Sequence, residues 1–194
     1  DALSVLSKTA KRLSRGEIMQ IESALSKDLD ENGYLKMVKD KTSSLISAAT
    51  LIGAITATKN QEQRDALFNY GEKLGTMFQI KDDLLDITGL EREVGKPTMF
   101  DLKKNMLTLP IIHILSTQDK TKQKQLISDL KYLSKKNKKK KIRSMIIEMG
   151  GVEYAEKKIA ELSDSAKRDL DIFDDNESKT ALISAINFNI ERKS

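Results

Sequence analysis

No cysteine occurs among the 194 residues, so neither a disulfide scaffold nor a zinc–thiolate site can form, and a cytoplasmic setting is the plain expectation. A single histidine leaves little room for a histidine-based metal site or a catalytic triad. Tryptophan is absent, aromatics make up 5%, and only 2 Pro and 9 Gly punctuate the chain, which argues against many-turned all-β folds. No uninterrupted apolar run reaches about 18 residues, so no transmembrane segment is expected, and no signal peptide is recognisable. The chain opens on Asp1 rather than Met, as expected of a piece cut from something longer.

What is present suits helices. Apolar residues make up 39% and charged residues 32%, the mixture of amphipathic helices with well-solvated outer faces. A core at this length buries on the order of 70% of the unfolded chain's surface, so residues 1–194 are expected to form one helical domain. The net charge of +5 is unevenly placed. Residues 131–143 (KYLSKKNKKKKIR) hold eight basic residues and no acid, which leaves −3 on the rest of the chain. Only Tyr132 interleaves that run, so no nucleic-acid partner is expected and the run reads as a solvated linker between helices.

Apolar spacing places helices over 2–13 (ending near Gly16) and 17–27, with a polar turn over 28–33. Further helices fall over 34–59, 61–88, 108–118, 120–133, 141–149, 152–173 and 177–193. Residues 43–58 are built of small and aliphatic side chains that let a neighbouring helix approach closely. Gly95 and Pro97 break the chain in the loop 89–100, and Gly150-Gly151 break it again. No sustained alternation marks a strand. The expected fold is all-α, an antiparallel helical bundle with long core helices.

Chemistry concentrates in NYGEKLGTMFQIKDDLLDIT (69–88). With Gln79 at zero and about 100° per residue, Asp82, Asp83 and Asp86 fall near −60°, +40° and −20°, and Glu72 and Gly75 near +20° and −40°. Apolar residues flank this polar stripe on both sides: Ile80, Leu84 and Ile87 on one, Phe78 and Leu85 on the other. Lys81, near 200°, gives the helix a second polar point, so the stripe is not simply its solvent face. It should line a cavity. Three carboxylates within two turns repel one another, and hard oxygen ligands that leave room for water and phosphate suit Mg²⁺. Lys41-Thr42, opening the small-residue stretch, and Lys96, in the loop after the acidic helix, add cationic partners for a polyanionic phosphate.

FQIKDDLLD (78–86), GKPT (95–98), Asp101-Leu102 and TLP (108–110) together resemble the trans-isoprenyl (E-polyprenyl) diphosphate synthases. DDLLD matches their second DDxxD motif. Gly16-Glu17 with Gln20, and Lys41-Thr42, match the segments before it, and the 152–192 tail looks like the last helices of bacterial long-chain members. The resemblance covers almost the whole chain in one collinear order. It implies an all-α antiparallel helical bundle around a central cavity, condensation of an allylic diphosphate with isopentenyl diphosphate, Mg²⁺ held by Asp82, Asp83 and Asp86, and a homodimer. It also implies a catalytic set of Lys41, Thr42, Gln79 and Lys96, with Lys41 and Lys96 binding diphosphate. The family's first aspartate-rich motif is not found in the sequence; it is expected before residue 1, so the piece alone should be inactive. Met106 stands two residues before Thr108, where many members have Lys. A non-catalytic dimerising subunit and a terpene cyclase are the rival readings; the GKPT loop and the Lys41-Thr42 pair favour chain elongation.

Overall fold

The computed structural model describes residues 2–26, 30–89 and 99–192. The GKPT segment, and with it Lys96, lies outside them. Helices follow in the order α1 (Ala2–Ser26), α2 (Glu31–Val38), α3 (Ser44–Ala57), α4 (Gln61–Thr88), α5 (Phe100–Lys103), α6 (Leu109–Ser116), α7 (Lys120–Lys135), α8 (Lys139–Glu148), α9 (Gly151–Asp169) and α10 (Glu177–Glu191). No strand occurs among the described residues, and no helix there is long and apolar enough to cross a membrane.

Two compact units are built from interleaved segments. The first comprises Asp1–Met19, Leu35–Gln79 and Ile159–Arg192. Its core sets Tyr70 and Met77 of α4, with Leu67 and Leu74 beside them, against Ala166, Leu170 and Ile186. Tyr70, Leu74 and Met77 recur at i, i+4, i+7 and so share one face of the helix. The second comprises Gln20–Tyr34, Ile80–Lys158 and Lys193–Ser194. Its core joins Ile87, Met99 and Leu102 to Ile111 and Ile114 of α6, Leu126, Leu130 and Leu133 of α7, and Ile142 and Ile146 of α8. Pro110 begins α6, where its missing N–H is no loss. Asp119 caps α7 by accepting from the backbone N–H groups of Thr121 and Lys122 at 3.0 and 2.9 Å. The ring of His113 stacks on that of Tyr154, with centroids 3.8 Å apart, and Tyr154 Oη donates to Glu31 at 2.6 Å.

Three expectations need correction. Gly16 does not end a helix: α1 runs through it, because the glycine serves a close approach instead. The long helix expected over 34–59 is interrupted at Lys39–Ser43 by one π-helical turn, in which Ser44 N–H bonds Lys39 C=O. The basic run is mostly helical, not a linker. Lysine has good helix propensity, so α7 continues through Lys135, α8 starts at Lys139, and only residues 136–138 connect them.

Candidate functional site

In the first unit the π turn is held from two sides. A Cβ on Gly16 would lie 2.5 Å from the backbone N of Lys41, and one on Gly75 would lie 2.5 Å from Cα of Ser43. Both positions therefore require glycine, and the α1 and α4 backbones close directly on the turn. The small residues of α3 extend this packing: Ser44, Ser47, Ala48 and Ala54 are buried, and a Cβ on Gly71 of α4 would lie 2.6 Å from Cα of Ser47, while Gly53 faces open space.

Charge fixes the same turn. Asp40, 2% exposed, accepts from Arg12 Nε at 3.0 Å and from Arg15 through Nε and Nη2. Arg12 also grips both oxygens of Glu72, at 2.8 and 3.0 Å, and donates to Lys39 C=O at 2.9 Å. Burial favours the neutral Asp40 acid, but the Arg15 and Arg12 guanidiniums together outweigh it and hold the carboxyl below its ordinary range. Ser44 Oγ donates to Asp40 C=O at 2.6 Å. An inserted π residue disturbs the regular helix ladder, and here side-chain donors take up the Lys39 and Asp40 carbonyls. The next two residues point to chemistry. Lys41 Nζ pairs with Glu17 at 3.2 Å, and Thr42 Oγ1 donates to Gln79 Oε1 at 2.8 Å.

In the second unit the three aspartates divide. Asp83 is 4% exposed and accepts the Tyr34 hydroxyl at 2.6 Å. Tyr34 is itself 1% exposed; burial, then the charge of Asp83, push its phenol well above the usual tyrosine range. Asp86, also buried, accepts the backbone N–H groups of Phe100 at 3.1 Å and Asp101 at 3.3 Å, so it caps the first turn of α5. Its carbonyl takes the N–H of Met99, a buried residue at φ 59°, where a side chain other than glycine's is uncommon. Asp82 alone of the three is partly exposed. The open stripe expected from sequence is thus closed at Asp83 and Asp86, because a buried carboxylate must find donors and these two find them inside the unit. Among the described residues, no three His, Asp or Glu side chains gather closely enough to hold a metal ion. Ile80, Leu84, Leu85 and Ile87 are buried as expected, while Phe78 is 39% exposed beneath the Arg192 guanidinium, 4.2 Å from its ring centre.

Tyr34, Arg12, Arg15 and Asp40 escaped the sequence reading. Arg12 and Arg15 stand one turn apart on α1, and Asp40 adjoins Lys41; those were the only signals available.

The sequence profile of the polyprenyl synthetase family matches residues 1–149. The short chain isoprenyl diphosphate synthase of Methanocaldococcus jannaschii is 37% identical over 130 residues, 67% of this chain and 39% of that protein. The geranylgeranyl diphosphate synthase of Saccharolobus solfataricus is 31% identical over 195 residues, 99% of this chain and 58% of that protein. The crystal structure of a polyprenyl synthase from Caulobacter crescentus, complexed with calcium and isoprenyl diphosphate, superimposes with a TM-score of 0.89 at 26% identity, covering 100% of this chain and 59% of that one. The chain therefore spans less than two thirds of each of these relatives. The all-helical fold agrees with that structure, and the profile covers the segments that carry Lys41-Thr42 and DDLLD: this chain belongs to the polyprenyl synthetase family.

Proposed function

We propose that residues 1–194 are part of a single polyprenyl synthetase domain whose protein condenses an allylic diphosphate with isopentenyl diphosphate. One observation carries this reading: α4 carries the FQIKDDLLD segment, on which Asp82 is partly exposed while Asp83 and Asp86 are buried. A set with one accessible carboxylate suits Mg²⁺, which keeps several waters and takes one or two carboxylates besides phosphate oxygens. Asp82 is then the direct ligand, and Asp83 and Asp86 fix the helix that presents it. When bound, Mg²⁺ neutralises charge on the departing diphosphate.

The remaining work falls to side chains. Lys41 exchanges its half-exposed Glu17 partner for a diphosphate oxygen, and Lys96 is assigned the same task. Thr42 Oγ1 donates to Gln79 Oε1 and fixes the amide's orientation, and the second lone pair of that oxygen is assigned to the developing allylic cation. The Caulobacter relative's complex with calcium and isoprenyl diphosphate supports a divalent cation and a diphosphate for this family. A homodimer is part of the proposal; the apolar residues Leu3, Leu6 and Ile18, all more than half exposed on α1, are its candidate contact face. The 194-residue chain alone does not elongate prenyl chains, since it spans 58% of the Saccharolobus enzyme and carries one DDxxD motif.

Titration calorimetry with inorganic pyrophosphate, with and without Mg²⁺, tests the site. Binding that requires Mg²⁺ and is lost in Lys41→Met supports it. Binding untouched by both Lys41→Met and Asp82→Ala sinks it.

A further inference from the structure

The basic run is the strongest charge feature of the sequence, and neither the core nor the proposed chemistry uses its lysines. Arg143 is spoken for, donating to Ile87 C=O at 3.0 Å in the last turn of α4 and to Gly89 C=O at 2.7 Å just past it. The seven lysines between 131 and 141 decorate the α7–α8 hairpin, whose Leu130, Leu133 and Ile142 point inward. Lys135, Lys136, Lys138, Lys140 and Lys141 are exposed, and no acidic residue occurs between Asp129 and Glu148. Beside the hairpin lies an open hollow of about 690 Å³ whose polar lining is Lys103, Asn105, Lys131, Ser134, Lys135 and Asn137. That lining offers ammonium, amide and hydroxyl donors and no carboxylate. The helices that line it also carry exposed aromatic rings: Tyr132 of α7, 62% exposed, and Phe100 of α5, 47% exposed with Lys104 Nζ 4.2 Å above its centre.

We propose that this face docks on an anionic phospholipid bilayer, with headgroup phosphates in the hollow and Tyr132 and Phe100 at headgroup depth. Like charges packed along one hairpin repel one another, and an anionic surface relieves that repulsion while each lysine adds attraction. Half-exposed aromatic rings with apolar bodies suit the membrane–water interface. Single-stranded nucleic acid would call for several rings on which bases stack, and the run supplies only Tyr132. No described helix is long and apolar enough to span a bilayer, and the docking proposed here is at the headgroup surface. The proposal stands apart from the catalytic reading, and either can fail alone.

Co-sedimentation of the purified chain with vesicles tests it. Vesicles of phosphatidylcholine mixed with phosphatidylglycerol bind the chain, pure phosphatidylcholine does not, and salt that shortens the Debye length to a few ångströms releases it. At about fivefold per lysine, the triple variant K135Q/K136Q/K138Q loses about a hundredfold in partitioning. K120Q/K122Q/K124Q, with the same change in charge at the other end of α7, loses far less. Circular dichroism verifies that both variants keep their helices. Equal binding to neutral vesicles, equal losses in the two variants, or displacement from vesicles by a stoichiometric RNA oligonucleotide would each overturn it.

Discussion

Tyr34 and Asp83 meet through a 2.6 Å hydrogen bond between two side chains that are both shielded from water. The phenol donates to a carboxylate that adjoins the one aspartate left partly open. Tyr34→Phe removes that donor and leaves the ring. A hydrogen bond to a charged acceptor is worth about 1.5–3 kcal/mol, so the unfolding free energy in urea should drop by that amount. An unchanged midpoint and slope would show that Asp83 does not depend on the phenol.

Asp82→Ala should act the other way round. The side chain is partly exposed, so stability should shift by no more than about 0.5 kcal/mol. In the intact protein, turnover of isopentenyl diphosphate should fall about a hundredfold or more if this carboxylate holds the metal that meets leaving-group charge. Steady-state assay with labelled substrate across a Mg²⁺ series reads the effect; wild-type turnover in saturating Mg²⁺ would remove Asp82 from the mechanism.

Asp40→Asn leaves Arg12 and Arg15 facing a neutral amide. Arg15 is half-exposed and Arg12 keeps Glu72, so the loss of stability is smaller than the ~3–5 kcal/mol of a fully buried pair broken on one side. The native carboxyl titrates below its unfolded value of about 3.9. Its contribution is therefore fully present above the unfolded pKa and is lost as pH falls through the folded one. Urea midpoints measured from neutral pH down through the carboxylate range should fall more steeply for wild type than for the variant. Parallel curves would show that Asp40 is not a source of acid sensitivity.

Gly75→Ala places a methyl group 2.5 Å from Cα of Ser43, against backbone that cannot swing away. Overpacking of this kind costs about 1–3 kcal/mol. Gly53→Ala, facing open space on α3, is the matched control and should gain slightly from better helix propensity. Thermal melts of the pair decide it; equal melting temperatures would mean that α4 and the π turn are not in close contact.

How far the sequence could be read follows the range of each interaction. The bounds of α4, Gln61–Thr88, were legible because its apolar flanks repeat over seven turns. The π turn was not, since one displaced hydrogen bond leaves no periodic mark on side chains. Gly16 looked like a terminator because its packing partner, Lys41, is remote in sequence. The stripe of Asp82, Asp83 and Asp86 was visible as geometry on one helix, but its division into one open and two closed carboxylates depends on Tyr34, Phe100 and Asp101. The Arg12–Asp40–Arg15 clamp spans 25 to 28 residues and had no local signature.

The chain has four tyrosines and no tryptophan, so tyrosine supplies all of its intrinsic fluorescence. Two of the four phenols give their protons to carboxylates, Tyr34 to Asp83 and Tyr154 to Glu31. An excited phenol is a far stronger acid than one in the ground state, and a carboxylate at hydrogen-bond distance takes its proton and dims its emission. If Asp82 holds a cation as proposed, that charge beside Asp83 weakens the carboxylate's pull on the Tyr34 proton and competes with the transfer. Tyr34 emission would then report cation occupancy without a label, without substrate and without turnover.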